Sequence, residues 1–160
     1  MKKSHPAVID NKFHQGNSKD GKHYWLTPPD VYARLSATFG PFDYDPCPHP
    51  KPAGYNGLIC EWGKRNFVNP PFGCIIHNGR KTGITAWIRK AIEEQRKGNF
   101  SLLLYPLEKW LFIAMEAIGE TRIINLGNVR WLAIEDGQPG RGSGWHIAAF
   151  PFYPKEQSHV

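Results

Sequence analysis

Apolar and polar positions alternate along the chain with two periods, and the order of those periods predicts the fold class. Apolar residues spaced three or four apart are typical of helices and occur over residues 27–39, 84–97 and 110–118. Runs rich in apolar residues predict strands over residues 42–45, 58–60, 66–68, 100–105, 122–126 and 145–152. Helices and strands therefore alternate, which predicts an α/β domain with a mostly parallel sheet and helices on both faces.

The first and third helices carry their own sequence signals. Thr27 is a suitable N-cap, Pro28 fits the first helical position, and Asp30 completes a capping box. Gly40-Pro41 ends this helix. Its inner face is predicted to consist of Val31, Leu35 and Phe39. The inner face of the third helix is predicted to consist of Trp110, Leu111, Ala114, Met115 and Ile118.

Some segments lack either period. Residues 1–22 are polar and basic, which predicts a flexible arm. Residues 23–154 then form a single domain, and residues 155–160 form a C-terminal tail. The segment from Gly73 to Gly83 is predicted to be a loop that carries Arg80 and Lys81 at its far end.

Composition narrows the class of protein. The 160 residues are 41% hydrophobic and 21% charged, which is enough for one domain with a packed core. The net charge of +6 favours a polyanionic partner such as nucleic acid. Three cysteines without a CxxC pair argue against a disulfide framework, and Cys47 and His49 match no usual metal-ligand spacing. We therefore expect no metal site. We also expect a cytoplasmic protein, since no stretch resembles a membrane span or a signal peptide.

The motif Asn69-Pro70-Pro71-Phe72 is the strongest indication of chemistry. It follows the predicted strand at 66–68, so a strand ends directly in a rigid turn. The Asn69 side-chain oxygen and the Pro70 carbonyl can each accept a hydrogen bond from an exocyclic amino group. Phe72 can stack on a flat base. This layout is typical of an amino-group methyltransferase, although Asn-Pro is also a common way to begin a turn.

A methyltransferase needs a methyl donor, and S-adenosylmethionine offers a cation, an amino group, a carboxylate and an adenine. Asp45 is the best acid for the amino group because it follows a predicted strand, but Asp45-Pro46 can also be an ordinary turn. The Thr27 hydroxyl and the start of its helix can receive the carboxylate. Trp25 or Trp62 can cover the adenine, or either can belong to the core. Ligands of parallel sheets bind beyond the carboxyl ends of strands, so Asp45 and Asn69 are expected to share a crevice.

The chain resembles the phage-type DNA N6-adenine methyltransferases, the Dam-like family. The matching pieces, in order, are Trp25 to Pro28, Phe39 to Cys47, Gly57-Leu58 with Trp62, Phe67 to Gly73, Trp87 with Lys90, and Leu102 to Pro106. The resemblance implies a compact Rossmann-like methyltransferase fold, S-adenosylmethionine as donor and adenine in DNA as acceptor. It implies cofactor contacts at Thr27, Pro28 and Asp45, with Pro46 and Asn56 as further candidates. It implies a catalytic loop of Asn69, Pro70, Pro71 and Phe72.

Several positions differ from the usual pattern of that family. Phe72 stands where the family usually has Tyr, and Asn56 stands where it often has an acid. Residues 107–110 differ from the usual polar stretch.

The expected partner is double-stranded DNA with the target base flipped out onto Phe72. Candidate phosphate contacts are Lys64, Arg65, Arg80, Lys81 and Arg89, each of which is otherwise a solvated surface charge. Two alternatives remain open at this point. One is a methyltransferase that acts on RNA or on protein glutamine. The other is an inactive module that keeps the fold and binds DNA. If a phage encodes the protein, the expected compartment is the host cytoplasm.

Overall fold

The computed structural model describes residues 20–107, 111–119, 122–142 and 144–155, without the side chains of Phe112 and Ile113. Most of the predicted arm, nearly all of the predicted tail, and Trp110 lie outside these residues. Two residues assigned to the arm contact the domain. Lys22 Nζ lies 2.6 Å from Asp136 Oδ2, and the Tyr24 hydroxyl donates to Asp20 Oδ2 at 2.5 Å.

The described part of the chain contains eight strands and three helices. The strands are β1 (Tyr24–Leu26), β2 (Arg65–Val68), β3 (Ile75–His77), β4 (Arg80–Thr82), β5 (Phe100–Pro106), β6 (Ile124–Gly127), β7 (Leu132–Ala133) and β8 (Ile147–Phe152). The helices are α1 (Pro29–Phe39), α2 (Ile84–Arg96) and α3 (Leu111–Ile118). The longest, α2, has 13 residues, and no helix among the described residues is long and apolar enough to cross a membrane.

The central sheet has the strand order β2-β5-β8-β6. β2 runs parallel to β5, whereas β8 runs antiparallel to both of its neighbours, β5 and β6. The sheet is therefore mixed, and the prediction of a mostly parallel sheet is wrong, because two of the three strand pairs are antiparallel. Every residue of β8 is buried, so its apolar run carries no signal of direction. β2, β5 and β6 nevertheless point the same way, because β8 reverses the direction once on each side.

Side chains on the two faces of the sheet build two separate cores, as the pleat of a strand requires. On one face, α2 and α3 pack Trp87, Ile88 and Ala114 against Leu103 and Phe150. On the other face, α1 supplies Leu35 and Phe39 and packs against Leu102, Leu104 and Ile147. The prediction of helices on both faces is confirmed. The fold is thus a mixed α/β domain with the sheet buried between two helical layers.

Three local predictions are wrong. The strand predicted at 42–45 is reduced to a single parallel bridge between Tyr44 and Asn66. Residues 58–60 form turns and a bend rather than a strand, because the three prolines and two glycines of residues 48–57 favour loop structure. Met115 is 50% exposed, so it lies on the outer face of α3 rather than the inner one.

The segment predicted as a loop at 73–83 is a β-hairpin. β3 and β4 pair antiparallel, with His77 opposite Arg80 across the turn. The two turn residues, Asn78 and Gly79, have φ angles of 50° and 72°. This left-handed pair defines the type I′ turn that Asn-Gly strongly favours. The Asn78-Gly79 pair in the sequence therefore indicated a hairpin, and the prediction of a loop overlooked it.

A small second sheet, β1 paired with β7, was not predicted either. Tyr24 lies opposite Ala133, and Leu26 lies opposite Leu132. Gly140 packs so closely on Tyr24 that an added Cβ would lie 2.7 Å from the ring. The pairing joins residues more than a hundred positions apart and brings Trp25 and Trp131 to the same side of the molecule as the motif at 69–72.

Candidate functional site

The carboxyl edge of the central sheet brings together the two strongest predicted site residues. Asn69 directly follows β2, and Asp45 directly follows Tyr44, which bridges Asn66 of β2 in the parallel sense. The two segments are therefore neighbours and end at the same edge. Pro70 is buried and Pro71 half-buried, so the turn after Asn69 is fixed both by its φ angles and by packing.

The Asn69 amide is held in one orientation by two bonds. Its Nδ2 donates to the Trp25 carbonyl oxygen at 3.2 Å and to the Thr27 hydroxyl oxygen at 3.3 Å. A carbonyl oxygen can only accept, so the amino half of the amide must face Trp25. Oδ1 takes part in neither bond. The protein thereby uses the donor half of Asn69 and presents the acceptor half at the edge of the sheet.

Thr27 has a different role from the predicted helix cap. α1 begins at Pro29, its N-cap residue is Pro28, and no side chain caps it. The Thr27 hydroxyl accepts from Asn69 instead. Capping preferences are local, whereas this partner lies 42 positions further along the chain, so the preference for Ser, Thr, Asp or Asn at an N-cap misled the prediction. The predicted end of α1 at Gly40 is confirmed.

Two aromatic residues that the sequence did not single out, Tyr105 and Trp131, contact Phe72 from two sides and form a clasp around it. Its ring meets Tyr105 at 5.2 Å and Trp131 at 5.4 Å, both nearly perpendicular. The Tyr105 hydroxyl also donates to the Phe72 carbonyl oxygen at 3.1 Å. Tyr105 is the penultimate residue of the buried strand β5, and a buried Tyr needs a hydrogen-bond partner, which was the one available signal. For Trp131 no local signal exists.

Asp45 borders a concavity of about 250 Å³. The other residues lining it are Tyr32, Phe42, Asp43, Tyr44 and Phe67. Three of the rings contact one another, since Phe67 lies 4.9 Å from Tyr32 and 5.4 Å from Phe42. The concavity therefore combines aromatic walls with carboxylate groups.

Asp45 is an exposed residue, yet its carboxyl group lies against the walls of the concavity. The walls of the concavity desolvate it and raise its pKa, while the backbone N–H of Cys47, at 2.7 Å from Oδ1, lowers the pKa in part. Neighbouring Asp43 differs, because its Oδ1 accepts the backbone N–H of Arg65 at 2.9 Å and holds the chain beside β2. Neither carboxyl forms an ion pair among the described residues, and only Asp43 is bound by a residue of β2.

The remaining cofactor candidates are divided between the site and the core. Pro46 is buried under Gly57, where an added Cβ would lie 2.1 Å from the Pro46 carbonyl oxygen, so only glycine fits. Asn56 accepts from the Leu58 N–H at 2.9 Å and contacts His77 of β3 at 3.1 Å. Trp62 is 7% exposed, and its indole donates to the Gly57 carbonyl oxygen, so it belongs to the core.

Pro28 is buried beside Thr27, and Trp25 is half-buried on β1. The structure thus joins Trp25 and Thr27 to Asn69 and places Asp45 and Pro46 after the segment that bridges β2. Trp62 belongs to the core cluster against which Phe72 packs.

The five basic candidates also divide. Lys64 and Arg65 lie at the start of β2, the opposite end of that strand from Asn69. The Arg65 guanidinium donates to the carbonyl oxygens of Phe39 and Pro41 and lies 4.6 Å from the Phe100 ring centroid, so it fastens the end of α1. Arg80 and Lys81 are exposed on β4, and Arg89 is exposed on α2. Arg80, Lys81 and Arg89 therefore lie on the elements that follow the motif in the chain, whereas Lys64 and Arg65 lie at the far end of β2.

Comparison with known proteins adds one positive finding. The family model of DNA N-6-adenine-methyltransferase (Dam) matches residues 15–147, which is far more than half of the chain. No curated protein and no solved structure matches the chain. The match contains every residue of the motif, the concavity, the clasp around Phe72 and the hairpin. This chain belongs to the DNA N-6-adenine-methyltransferase (Dam) family, so the acceptor of its methyl group is the N6 amino group of adenine in DNA.

Proposed function

We propose that this DNA N6-adenine methyltransferase uses S-adenosylmethionine and binds it at the carboxyl edge of the sheet, between Asp45 and Thr27. The donor set at this edge fits the cofactor. Aromatic walls suit an adenine and a sulfonium cation, and Asp45 suits an ammonium group. The Thr27 hydroxyl accepts from Asn69 and retains its own proton to donate to a carboxylate. The concavity is smaller than most ligand cavities, so it holds part of the cofactor, and the rest extends toward Pro28 and Pro46.

This arrangement also supports a Rossmann-like assignment for the fold. β2, β5 and β6 share one direction, and the segment of Tyr44 joins β2 in parallel. Asp45 and Asn69 follow adjacent parallel segments, the place where such sheets bind their ligands. The antiparallel strand β8 lies on the far side of β5 and does not interrupt this edge.

Asn69 is the proposed catalytic residue. When bound, the cofactor supplies an electrophilic methyl group on a sulfonium. Asn69 Oδ1 and the Pro70 carbonyl oxygen accept hydrogen bonds from the adenine amino group and orient its nitrogen toward that methyl group. Positive charge develops on this nitrogen as the N–C bond forms and the C–S bond breaks, and the two carbonyl dipoles stabilise it more than they stabilise the neutral amine. The excess proton on the nitrogen then leaves to water.

Phe72 is proposed to receive the flipped adenine. An adenine inside a duplex is out of reach of any active site, so it must leave the base stack first. Tyr105 and Trp131 fix the Phe72 ring from two perpendicular contacts, so the ring needs no ordering when a base arrives. Arg80, Lys81 and Arg89 are proposed to contact the DNA strands around that base.

The observation that supports this proposal most strongly is the Asn69 amide, which is anchored through its donor half and presents its acceptor half. The test is transfer of a labelled methyl group from S-adenosylmethionine to unmethylated duplex DNA, with the product nucleoside identified by mass spectrometry. Labelled N6-methyladenine, together with calorimetric binding of the cofactor, is the expected result. Cofactor binding that persists unchanged after Asp45→Ala and Thr27→Ala would contradict the proposed cofactor site.

A further inference from the structure

The β3–β4 hairpin is attached directly to the catalytic loop. Only Gly73 and Cys74 separate Phe72 from β3, and Gly83 alone separates β4 from α2. The hairpin pairs with no other strand of the described chain, since its two strands form a sheet of their own. It therefore projects from the edge of the domain where the target adenine is methylated.

The two faces of the hairpin differ. Ile75 packs against the core, and His77 Nδ1 lies 3.1 Å from the Asn56 side-chain nitrogen, so this face is anchored to the domain. Successive residues of a strand point to opposite faces, so Ile76 points away from the anchored side. Ile76 is 37% exposed and lies directly opposite Lys81. The outer face thus presents an apolar side chain and a cation together.

Charge around the hairpin is one-sided. Residues 62–92 contain no Asp or Glu, and the basic residues among them are Lys64, Arg65, Arg80, Lys81, Arg89 and Lys90. None of the ion pairs described involves Arg80 or Lys81, and both are exposed. The hairpin is consequently a cationic projection without any internal acid, which is complementary to a nucleic-acid backbone.

We propose that this hairpin enters the major groove of duplex DNA beside the flipped adenine and reads the neighbouring base pairs. The major groove of B-form DNA is wide enough for a two-stranded ribbon, whereas the A-form major groove of RNA is too narrow for side chains to read. Ile76 contacts a thymine methyl group, and Lys81 beside it reaches guanine acceptors. Arg80, which lies opposite His77 next to the Asn78-Gly79 tip, reaches a flanking phosphate. This inference deepens the proposed function and rests on it for the position of the target base.

The first test measures binding of fluorescent duplex DNA over a range of salt concentrations. Removing both hairpin cations with Arg80→Ala and Lys81→Ala is expected to lower the slope of log affinity against log salt by about 2, roughly 0.9 for each phosphate that a cation no longer neutralises. The matched control is Arg96→Ala, which removes an exposed cation at the opposite end of α2, about 18 Å from its start. A double variant with the same slope as Arg96→Ala would overturn the proposal.

The second test asks which groove is read. Replacing purines next to the target with 7-deazapurines removes major-groove acceptors, and replacing guanine with inosine removes a minor-groove amino group. The wild-type enzyme is expected to bind and methylate the 7-deaza duplex several-fold less well, and Ile76→Ala is expected to lose part of its preference among methylated sites. Sensitivity to inosine alone would overturn the major-groove assignment.

These binding assays separate the two proposals. The measurements of DNA affinity require neither cofactor nor turnover, so the hairpin can fail while S-adenosylmethionine-dependent methylation is intact. Conversely, DNA binding with the expected salt slope but without use of S-adenosylmethionine would refute the proposed cofactor and leave the hairpin in place. The anchoring residues Ile75 and His77 are unchanged in all variants, and an unchanged melting temperature verifies that each variant is folded.

Discussion

The two ends of the central sheet use their polar side chains in opposite ways. At the amino end of β5, the carboxylate of Glu94 is 1% exposed and is bound by Lys90 at 3.0 Å, Lys97 at 3.2 Å and Asn99 at 2.8 Å. At the carboxyl end, the hydrogen bonds to described residues engage the Asn69 side chain through its amino group and Asp45 through Oδ1. At the amino end the Glu94 carboxylate is saturated by protein donors, although Gln95 Oε1 and Asn99 Oδ1 are buried without a partner among the described residues. The carboxyl end leaves carboxylate and amide oxygens for a ligand.

The pKa values of the two carboxyl groups report the same contrast. Burial acts to raise the pKa of Glu94, but the hydrogen bonds from Asn99, Lys90 and Lys97 outweigh it, so the pKa is lowered. Burial also acts on Asp45, where one backbone bond is too little to compensate, and the pKa is raised. A saturated carboxylate stabilises the fold, whereas an undersaturated one gains most from a bound cation. The difference separates a structural edge from the edge at which we propose the functional site.

The largest expected effect comes from removing the acceptor of Asn69. Asn69→Ala should lower kcat by roughly 10²- to 10³-fold, the usual effect of deleting one preorganised dipole from an active site. Cofactor affinity should change little. Asn69→Asp keeps acceptor oxygens but loses both donor bonds, so it should retain more activity than Asn69→Ala. Steady-state methylation combined with calorimetry checks this, and wild-type turnover in Asn69→Ala would remove the residue from the mechanism.

The next effect concerns the saturated edge and should appear in stability alone. Glu94→Gln leaves Lys90, which is 9% exposed, without its buried partner and should lower the free energy of unfolding by about 3 kcal/mol. Glu93→Gln is the matched control, since Glu93 binds the same two lysines from a position that is 52% exposed. Its cost should be at most about 1 kcal/mol. Equal losses in urea denaturation would contradict the contrast between the two edges.

The lowered pKa of Glu94 predicts how the stability of the protein changes with pH. The pKa of Glu94 is lower in the folded protein than the ordinary 4.5, so the folded state binds fewer protons there than the unfolded state. Its stabilisation is complete above the unfolded pKa and is lost as pH falls through the folded pKa. Wild-type stability should therefore drop more steeply below about pH 4.5 than that of Glu94→Gln.

At the functional edge, the expected pH effect is on binding. Because the pKa of Asp45 is raised, its carboxyl group is neutral at low pH and cannot attract an ammonium group. Affinity for S-adenosylmethionine should rise as pH increases above the ordinary aspartate pKa of 3.8, because the free carboxyl becomes ionised there while an α-amino group stays charged. Asp45→Asn should weaken binding about tenfold, or ~1.4 kcal/mol, and abolish the pH dependence. An affinity that falls as pH rises in wild type would refute the role of Asp45.

The smallest expected effect tests the clasp around Phe72. Tyr105→Phe keeps the perpendicular ring contact and deletes only the bond to the Phe72 carbonyl oxygen, at a cost of ~1 kcal/mol. We expect about a fivefold loss in kcat/KM toward DNA with unchanged cofactor affinity. Tyr153→Phe, at the opposite end of the sheet, is the control and should be neutral. If both variants behave alike, Tyr105 does not position the loop.

The sequence predicted those parts of the site that follow from strand ends. Asn69 and Asp45 lie after neighbouring parallel segments, as predicted. Asn69 is not among the residues that line the concavity beside Asp45, so the shared crevice stays a prediction. Contacts over long separations were not predictable in the same way, since nothing near Thr27 or Trp131 announces Asn69 or Phe72 as a partner. The direction of β8 was missed because a strand buried on both faces reads alike in either direction. The hairpin was a different kind of error, since Asn78-Gly79 indicated it directly.

The position of β8 has a consequence for how the enzyme is made. This strand follows β5 and β6 in the chain, yet it lies between them in the sheet. Until residues 147–152 have been synthesised, β5 and β6 each expose an unpaired backbone edge beside a buried apolar face. Partial chains therefore present the kind of surface that aggregates, and the sheet closes only after its last strand arrives. Methyltransferase activity is thereby tied to completion of this strand.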